Sequence, residues 1–118
     1  MKFEFIYVHF SMLLNSFLLY GANGYTGELI ARYAKQYNLE PILAGRRKKV
    51  IEPLAKQLNY TFRVFDLNDK ASLIEALKDV KLVIHAAGPF QFTAQQMIEA
   101  CLETGTHYLD INGDIAVF

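Results

Sequence analysis

The apolar run Phe17-Leu18-Leu19-Tyr20 leads straight into Gly21-Ala22-Asn23-Gly24-Tyr25-Thr26-Gly27. Before Gly21 the residues read as a short strand over 16–20. From Tyr25 onward the apolar period becomes helical, with Leu29, Ile30, Tyr33, Ala34 and Tyr37 expected to form one buried stripe. A glycine-rich turn between a strand and an amphipathic helix is the context in which G-x-x-G-x-x-G reads as a dinucleotide fingerprint. Gly21 lets the chain turn out of the strand, Gly24 leaves room for a pyrophosphate, and Gly27 lets the helix pack closely on the sheet. Backbone N–H groups at the helix start then face the phosphates, favoured by the helix dipole. Asn23, Tyr25 and Thr26 lie in the same turn and add possible side-chain hydrogen bonds.

Downstream the alternation continues. Residues 41–44 read as a second strand with Pro41 at its first position, where proline is tolerated. Val50, Ile51, Leu54 and Leu58 mark a second helix, expected to be short because Pro53 suits only a first turn. Residues 61–65 read as a third strand. Ser72 and Glu75 form a candidate capping box for a third helix carrying Leu73, Ile74 and Leu77 inward. Residues 81–86 are a fourth strand, broken by Gly88-Pro89. Ala94, Met97, Ile98, Cys101 and Leu102 give the expected stripe of a fourth helix, ended by Gly105, and residues 107–111 a fifth strand. Apolar strands joined by helices imply a parallel sheet covered on both faces. With right-handed crossovers this is a Rossmann-type, doubly wound α/β fold, truncated after about five strands, in the order 3-2-1-4-5.

The end of the second strand bears on the cofactor. An NAD-binding unit usually carries an acidic residue there for the ribose hydroxyls. This chain has Gly45-Arg46-Arg47-Lys48-Lys49, with Arg46 nineteen positions after Gly27. A guanidinium suits the 2′-phosphate of NADP(H), whereas four cations at a helix start oppose the dipole unless an anion is present. Arg46 is ranked first for this role and Arg47 second; the bland reading is a solvated helix start. Asp66, at the end of the third strand, is either an adenine contact or a loop cap. Ala87, Gly88 and Pro89 either let the dinucleotide cross the sheet edge or make a plain strand-to-helix turn.

Other residues invite quieter readings. His85 reads as a satisfied core histidine and Cys101 as inert packing. Asp110 ends the fifth strand, where a substrate is one possible neighbour. No His or Cys pair has metal-ligand spacing, so no metal is expected. Twelve basic residues balance twelve acidic ones in 118, so net charge points to neither a nucleic acid nor an anionic membrane. The early apolar stretch is interrupted by Glu4, His9 and Asn15, which argues against a signal peptide and a membrane span. Residues 1–11 read as an arm of unknown role, with Met12 an alternative start and 12–118 the dinucleotide-binding domain. One cysteine fits a cytoplasmic location.

The segments GANGYTGELIARYA, PILAGRR, VIHAAGPF and EACLETGTHYLDINGD resemble the NADP-binding domain of the saccharopine dehydrogenase (saccharopine reductase-like) family, over about residues 17–118. The resemblance implies a nicotinamide-dependent oxidoreductase, with Gly21, Gly24 and Gly27 at the pyrophosphate and Arg46 near the 2′-phosphate. It also implies a large substrate domain beyond this region; with that domain expected to be absent here, the isolated chain is expected to be inactive and to self-associate as a homo-oligomer. Where family members often have threonine or serine and then glycine-glutamate, this chain has Asn112-Gly113-Asp114. Short-chain dehydrogenases share the turn but use Tyr-x-x-x-Lys, and no tyrosine here has lysine four positions later. A stand-alone, non-catalytic nucleotide-binding or sensory module is the alternative reading.

Overall fold

The computed structural model describes residues 17–87 and 90–111. Residues 1–16, which include the expected arm, and residues 88, 89 and 112–118 lie outside the described residues. Five strands run in the order β3-β2-β1-β4-β5: β1 (Phe17–Tyr20), β2 (Ile42–Gly45), β3 (Phe62–Val64), β4 (Leu82–His85) and β5 (His107–Asp110). All four pairings are parallel. The expected strand order and doubly wound architecture are therefore present. The helices are α1 (Tyr25–Tyr33), which tightens into a 3-10 turn (Ala34–Tyr37), α2 (Lys48–Leu58), α3 (Lys70–Leu77) and α4 (Phe90–Thr104).

Strand alternation divides the core between the two faces of the sheet. Phe17, Leu19, Leu43 and Leu82 pack with Ala31, Ile51, Leu54 and Ala55 from α1 and α2. Leu18, Tyr20, Ala44 and Val83 pack with Leu73, Leu77, Met97, Ala100 and Cys101 from α3 and α4. β1 is wholly buried, as a central parallel strand should be. β5 is the edge, and three of its four residues are exposed.

Two helices turn differently from their apolar patterns. The inner face of α1 and its 3-10 extension is Gly27, Ala31 and Ala34, while Leu29, Tyr33 and Tyr37 are exposed. Of the expected stripe, Ala34 is buried and Ile30 partly buried, but Leu29, Tyr33 and Tyr37 are turned out because Gly27 sits against the Gly21 carbonyl. At that separation only small side chains fit between helix and sheet. Tyr60 packs against this segment: the Lys35 ammonium of the 3-10 turn lies 5.0 Å from its ring centre, and its hydroxyl donates to the Ala31 carbonyl of α1 at 2.8 Å. In α4, Met97, Ala100 and Cys101 are buried, but Ile98 and Leu102 are exposed. Met97 and Cys101 thus lie on the inner face as expected, while Ala100 takes the place expected of Ile98 and Leu102.

Two local expectations also need correcting. Pro53 stands in the second turn of α2, yet the helix runs unbroken for 11 residues. The carbonyl that loses its bond is that of Lys49, an exposed residue, so water can replace the missing donor. The cap of α3 is Asp69 rather than Ser72. Its carboxylate accepts from the Ser72 amide at 3.2 Å and from the Ser72 hydroxyl at 2.8 Å. Glu75 pairs instead with Lys78 at 2.7 Å. An anion at a helix start is favoured by the dipole, and Asp and Ser are comparable caps, so sequence alone did not separate them.

Candidate functional site

All five strands point their carboxyl ends to one edge, where β1 and β4 lie side by side and their connections leave in opposite directions. In open α/β sheets this switch point is where a crevice forms. The turn after β1 is built there by backbone bonds. The Gly21 amide donates to the Ala44 carbonyl at 2.9 Å, and the Gly24 amide donates to the Gly21 carbonyl at 3.0 Å. Gly21 has φ of 85°, a left-handed conformation that disfavours side chains, and its missing Cβ would lie 2.6 Å from the Ala87 nitrogen. A Cβ on Gly27 would strike the Gly21 carbonyl. Gly24 caps α1 in an extended conformation. By helix geometry the amides of Tyr25, Thr26 and Gly27 have no intrahelical acceptor and point out of the helix start.

A cleft of about 440 Å³ opens at this edge. Of the residues expected at the site, Gly21, Asn23, Arg46, Arg47, Asp66 and Ala87 line it. Gly24, Tyr25, Thr26 and Gly27 belong to the same turn and helix start without lining the cleft, and Gly88 and Pro89 lie outside the described residues. Arg46 and Arg47 are exposed, and among the described residues neither forms an ion pair. No acidic residue stands in the first turn of α2. Asp66 has a local role: its carboxylate accepts from the Asn68 amide at 2.9 Å, fixing the loop after β3.

The cleft also includes Tyr20, Gly45, Leu67, Asn68, Thr93 and Gln96, none of which the sequence reading singled out as site residues. Tyr20 ends β1 and stacks on Phe65, with ring centres 5.1 Å apart. Burial, then the Asp66 charge, push its hydroxyl up to about 12, so it stays protonated, opposed only by the Arg46 charge. Thr93 and Gln96 stand one turn apart on α4, and the Thr93 hydroxyl donates to the Ala87 carbonyl at 3.2 Å. The signal that would have found them is positional: the helix after β4 starts at the same edge as α1. A wider groove of about 930 Å³ beside β3 and α3 is less apt, since Arg63 there is already held by Asp79 and the Ala76 carbonyl.

His85 and Cys101 have the packing roles expected of them. His85 is fully buried, with Nδ1 3.1 Å from the Tyr108 hydroxyl. Burial lowers its imidazole from 6.5 to about 4, so the ring is neutral in the folded chain. Burial likewise pushes the Cys101 thiol up to about 11, away from the reactive thiolate. The histidine has a consequence for acid stability. Between pH 6.5 and 4 the unfolded chain binds a proton at this site that the folded chain does not, so stability falls as pH falls. The expected loss is about 3 kcal/mol. Urea titrations at pH 7 and pH 4.5 check this, and a flat profile that His85→Gln does not alter counts against it.

A glycine turn at the switch point, a helix start facing it and a basic strand end beside it define a dinucleotide-binding α/β domain. The family model for the saccharopine dehydrogenase NADP binding domain matches residues 17–117, and the chain belongs to that family. A saccharopine dehydrogenase-like oxidoreductase of Mus musculus is 28% identical over 116 residues, matching 82% of this chain and 27% of the relative. A lipid droplet localized protein of Caenorhabditis elegans is 29% identical, matching 84% of this chain and 26% of the relative. Among solved structures, the L-Glu-forming saccharopine dehydrogenase of Saccharomyces cerevisiae shares the fold, with a TM-score of 0.65 at 20% identity over 86% of this chain and 22% of the other. The chain thus spans about a quarter of the length of these relatives.

These likenesses support a nicotinamide dinucleotide as cofactor and give the stand-alone module no support. They overturn the cytoplasmic expectation. Besides the lipid droplet protein, a relative from Arabidopsis thaliana, 26% identical, is named as mitochondrial. A single buried cysteine reports on packing and carries no compartment signal. Among the described residues no helix is long and apolar enough to cross a membrane, and no cluster of three or more His, Cys, Asp or Glu is placed to hold a metal ion.

Proposed function

We propose that this chain is the NADP(H)-binding part of an oxidoreductase and prefers NADP(H) to NAD(H). The observation that carries the reading is the pair Arg46 and Arg47, which line the cleft after β2 without an acidic partner among the described residues. Two guanidinium groups beside a helix start with no acidic first turn form an anion site, and a 2′-phosphate is the anion that distinguishes the two cofactors. Gly21, Gly24 and Gly27, with Asn23, Tyr25 and Thr26, would cradle the pyrophosphate. Asp66 would stand at the adenine, and Ala87, Gly88 and Pro89 where the dinucleotide crosses the sheet edge. Calorimetric titration with NADPH and NADH tests this directly, and equal affinities would overturn it.

In this reading 12–118 is the cofactor domain and 1–11 an arm of unknown role. Substrate contacts belong to the part of the relatives' length that this chain does not span, so turnover needs that part. Hydride transfer requires a substrate held at near-attack distance from the nicotinamide. The isolated chain also leaves Leu102 at 78% exposure and Leu109 at 56%, with Ile98 and Ile111 exposed as well. Apolar surface of this kind favours association. Light scattering is expected to show dimers or larger species, and a clean monomer at high concentration counts against it.

A further inference from the structure

The cofactor reading leaves unused a chain of three side chains on β4 and β5. The strand register places His85 opposite Asp110 and Val83 opposite Tyr108. The Tyr108 hydroxyl donates to Asp110 Oδ2 at 2.9 Å and lies 3.1 Å from His85 Nδ1. A hydroxyl has one proton to give. The carboxylate is an anion and the stronger acceptor, so the proton goes to Asp110 and the hydroxyl oxygen accepts from Nδ1–H. Asp110 is exposed at the carboxyl end of the edge strand, whereas His85 is buried at the carboxyl end of its neighbour. The chain therefore runs from the surface inward.

Its inner end meets the cleft. The His85 ring centre lies 5.7 Å from that of Tyr20, which lines the cleft. His85 also stands two residues before Ala87, another lining residue. The Ala86 amide donates to the Tyr20 carbonyl at 2.8 Å, and Ala87 is the residue packed against Gly21. The imidazole thus sits behind the wall that joins β1 to β4, where Gly21 and Ala87 are already in contact and a small displacement changes the shape of the turn.

We propose that Tyr108 and Asp110 are positioning residues for the dinucleotide cleft: they fix the His85 imidazole, and the imidazole, packed against Tyr20, holds that side chain and the wall between β1 and β4 in the geometry that the cofactor requires. The proposal rests on the reading of the cleft as a dinucleotide site. A binding site held within about 0.5 Å by supporting hydrogen bonds loses affinity when one of them is removed. The wall in question faces the part that NADPH and NADH share, so the loss should be the same for both.

Tyr108→Phe keeps the ring in the core and removes the hydroxyl. NADPH and NADH titrations of this variant are expected to show both affinities weakened by about fivefold to tenfold, with their ratio unchanged, the loss of one buried hydrogen bond. Asp110 is exposed, so Asp110→Asn probes the same chain without disturbing the core, with an expected loss of about threefold. Leu73→Val perturbs the same core away from the chain and is expected to leave both affinities unchanged. Nitrogen-15 spectra give a readout that packing alone does not move: the His85 imidazole should show the Nδ1-protonated tautomer and shift when NADPH is added. Affinities of Tyr108→Phe and Asp110→Asn equal to those of the unaltered chain, or a matching loss in Leu73→Val, would overturn the proposal while leaving the cofactor reading intact. An unaltered chain that binds neither dinucleotide would overturn both.

Discussion

Replacing Gly27 with alanine is expected to destabilise the chain by about 3 kcal/mol, at the upper end of what overpacking usually costs. A methyl group there meets the Gly21 carbonyl oxygen, with the Gly21 carbonyl carbon at 2.9 Å and the Ala22 Cα at 3.0 Å. All three are backbone atoms of the turn, and none can move aside by a rotamer change. Either α1 lifts off the sheet, uncovering Ala31, or the turn after β1 deforms. Gly24 is the contrasting position. Its missing Cβ has only the Gly21 carbonyl oxygen nearby, at 3.4 Å, and its φ of −77° suits any residue. Gly24→Val is therefore expected to cost the fold at most about 1 kcal/mol, mainly as a poorer cap. It should nevertheless weaken NADPH and NADH alike, because its side chain would occupy the proposed pyrophosphate position. Urea denaturation followed by circular dichroism separates the two. Gly27→Ala as stable as the unaltered chain would contradict the close packing of helix on strand.

The contrast shows which features the sequence carried openly. The change of period at Tyr25, the apolar runs that became β1, β2 and β4, and the glycine turn were enough to give the sheet order and the edge at which a cleft opens. Each is local, and each agrees with the global fold. The orientation of α1 was legible only in part, because hydrophobic pattern ranks Leu29, Tyr33 and Tyr37 above Gly27 and Ala31. The helix-to-sheet distance, set by the Gly21–Gly27 contact, reverses that ranking. The cap of α3 was hidden by two equivalent candidates three residues apart, Asp69 and Ser72. The left-handed residues Asn38 and Asn59 end the 3-10 turn and α2 without a glycine to mark either stop. Asparagine tolerates that conformation better than most residues, so both were available as stop signals. Of the cleft residues, Gly21, Asn23, Arg46, Arg47, Asp66 and Ala87 were legible from the glycine turn and from the stretches that follow the strands. Tyr20, Thr93 and Gln96 were not, since their place in the cleft depends on which faces of β1 and α4 turn toward it.

Arg46→Ala is expected to remove most of the preference for NADPH while leaving NADH affinity nearly unchanged. If the Arg46 guanidinium holds the 2′-phosphate, the unaltered chain should favour NADPH by roughly tenfold to a hundredfold, the equivalent of one charge-assisted hydrogen bond of about 1.5–3 kcal/mol. NADH has only a hydroxyl at that position and loses little. Arg46 is exposed, so its replacement should not disturb folding, and a change in affinity can be read as a change in contact. Exposure also means screening, and the preference should shrink as salt is added. Arg47 lines the same cleft but caps α2 with an extended backbone, which assigns part of its role to the helix start. Arg47→Ala should therefore reduce the preference less than Arg46→Ala. Titrations of the three chains at low and high salt give the ratio in each case. A preference that survives Arg46→Ala, or that does not fall with salt, would move the phosphate to another residue.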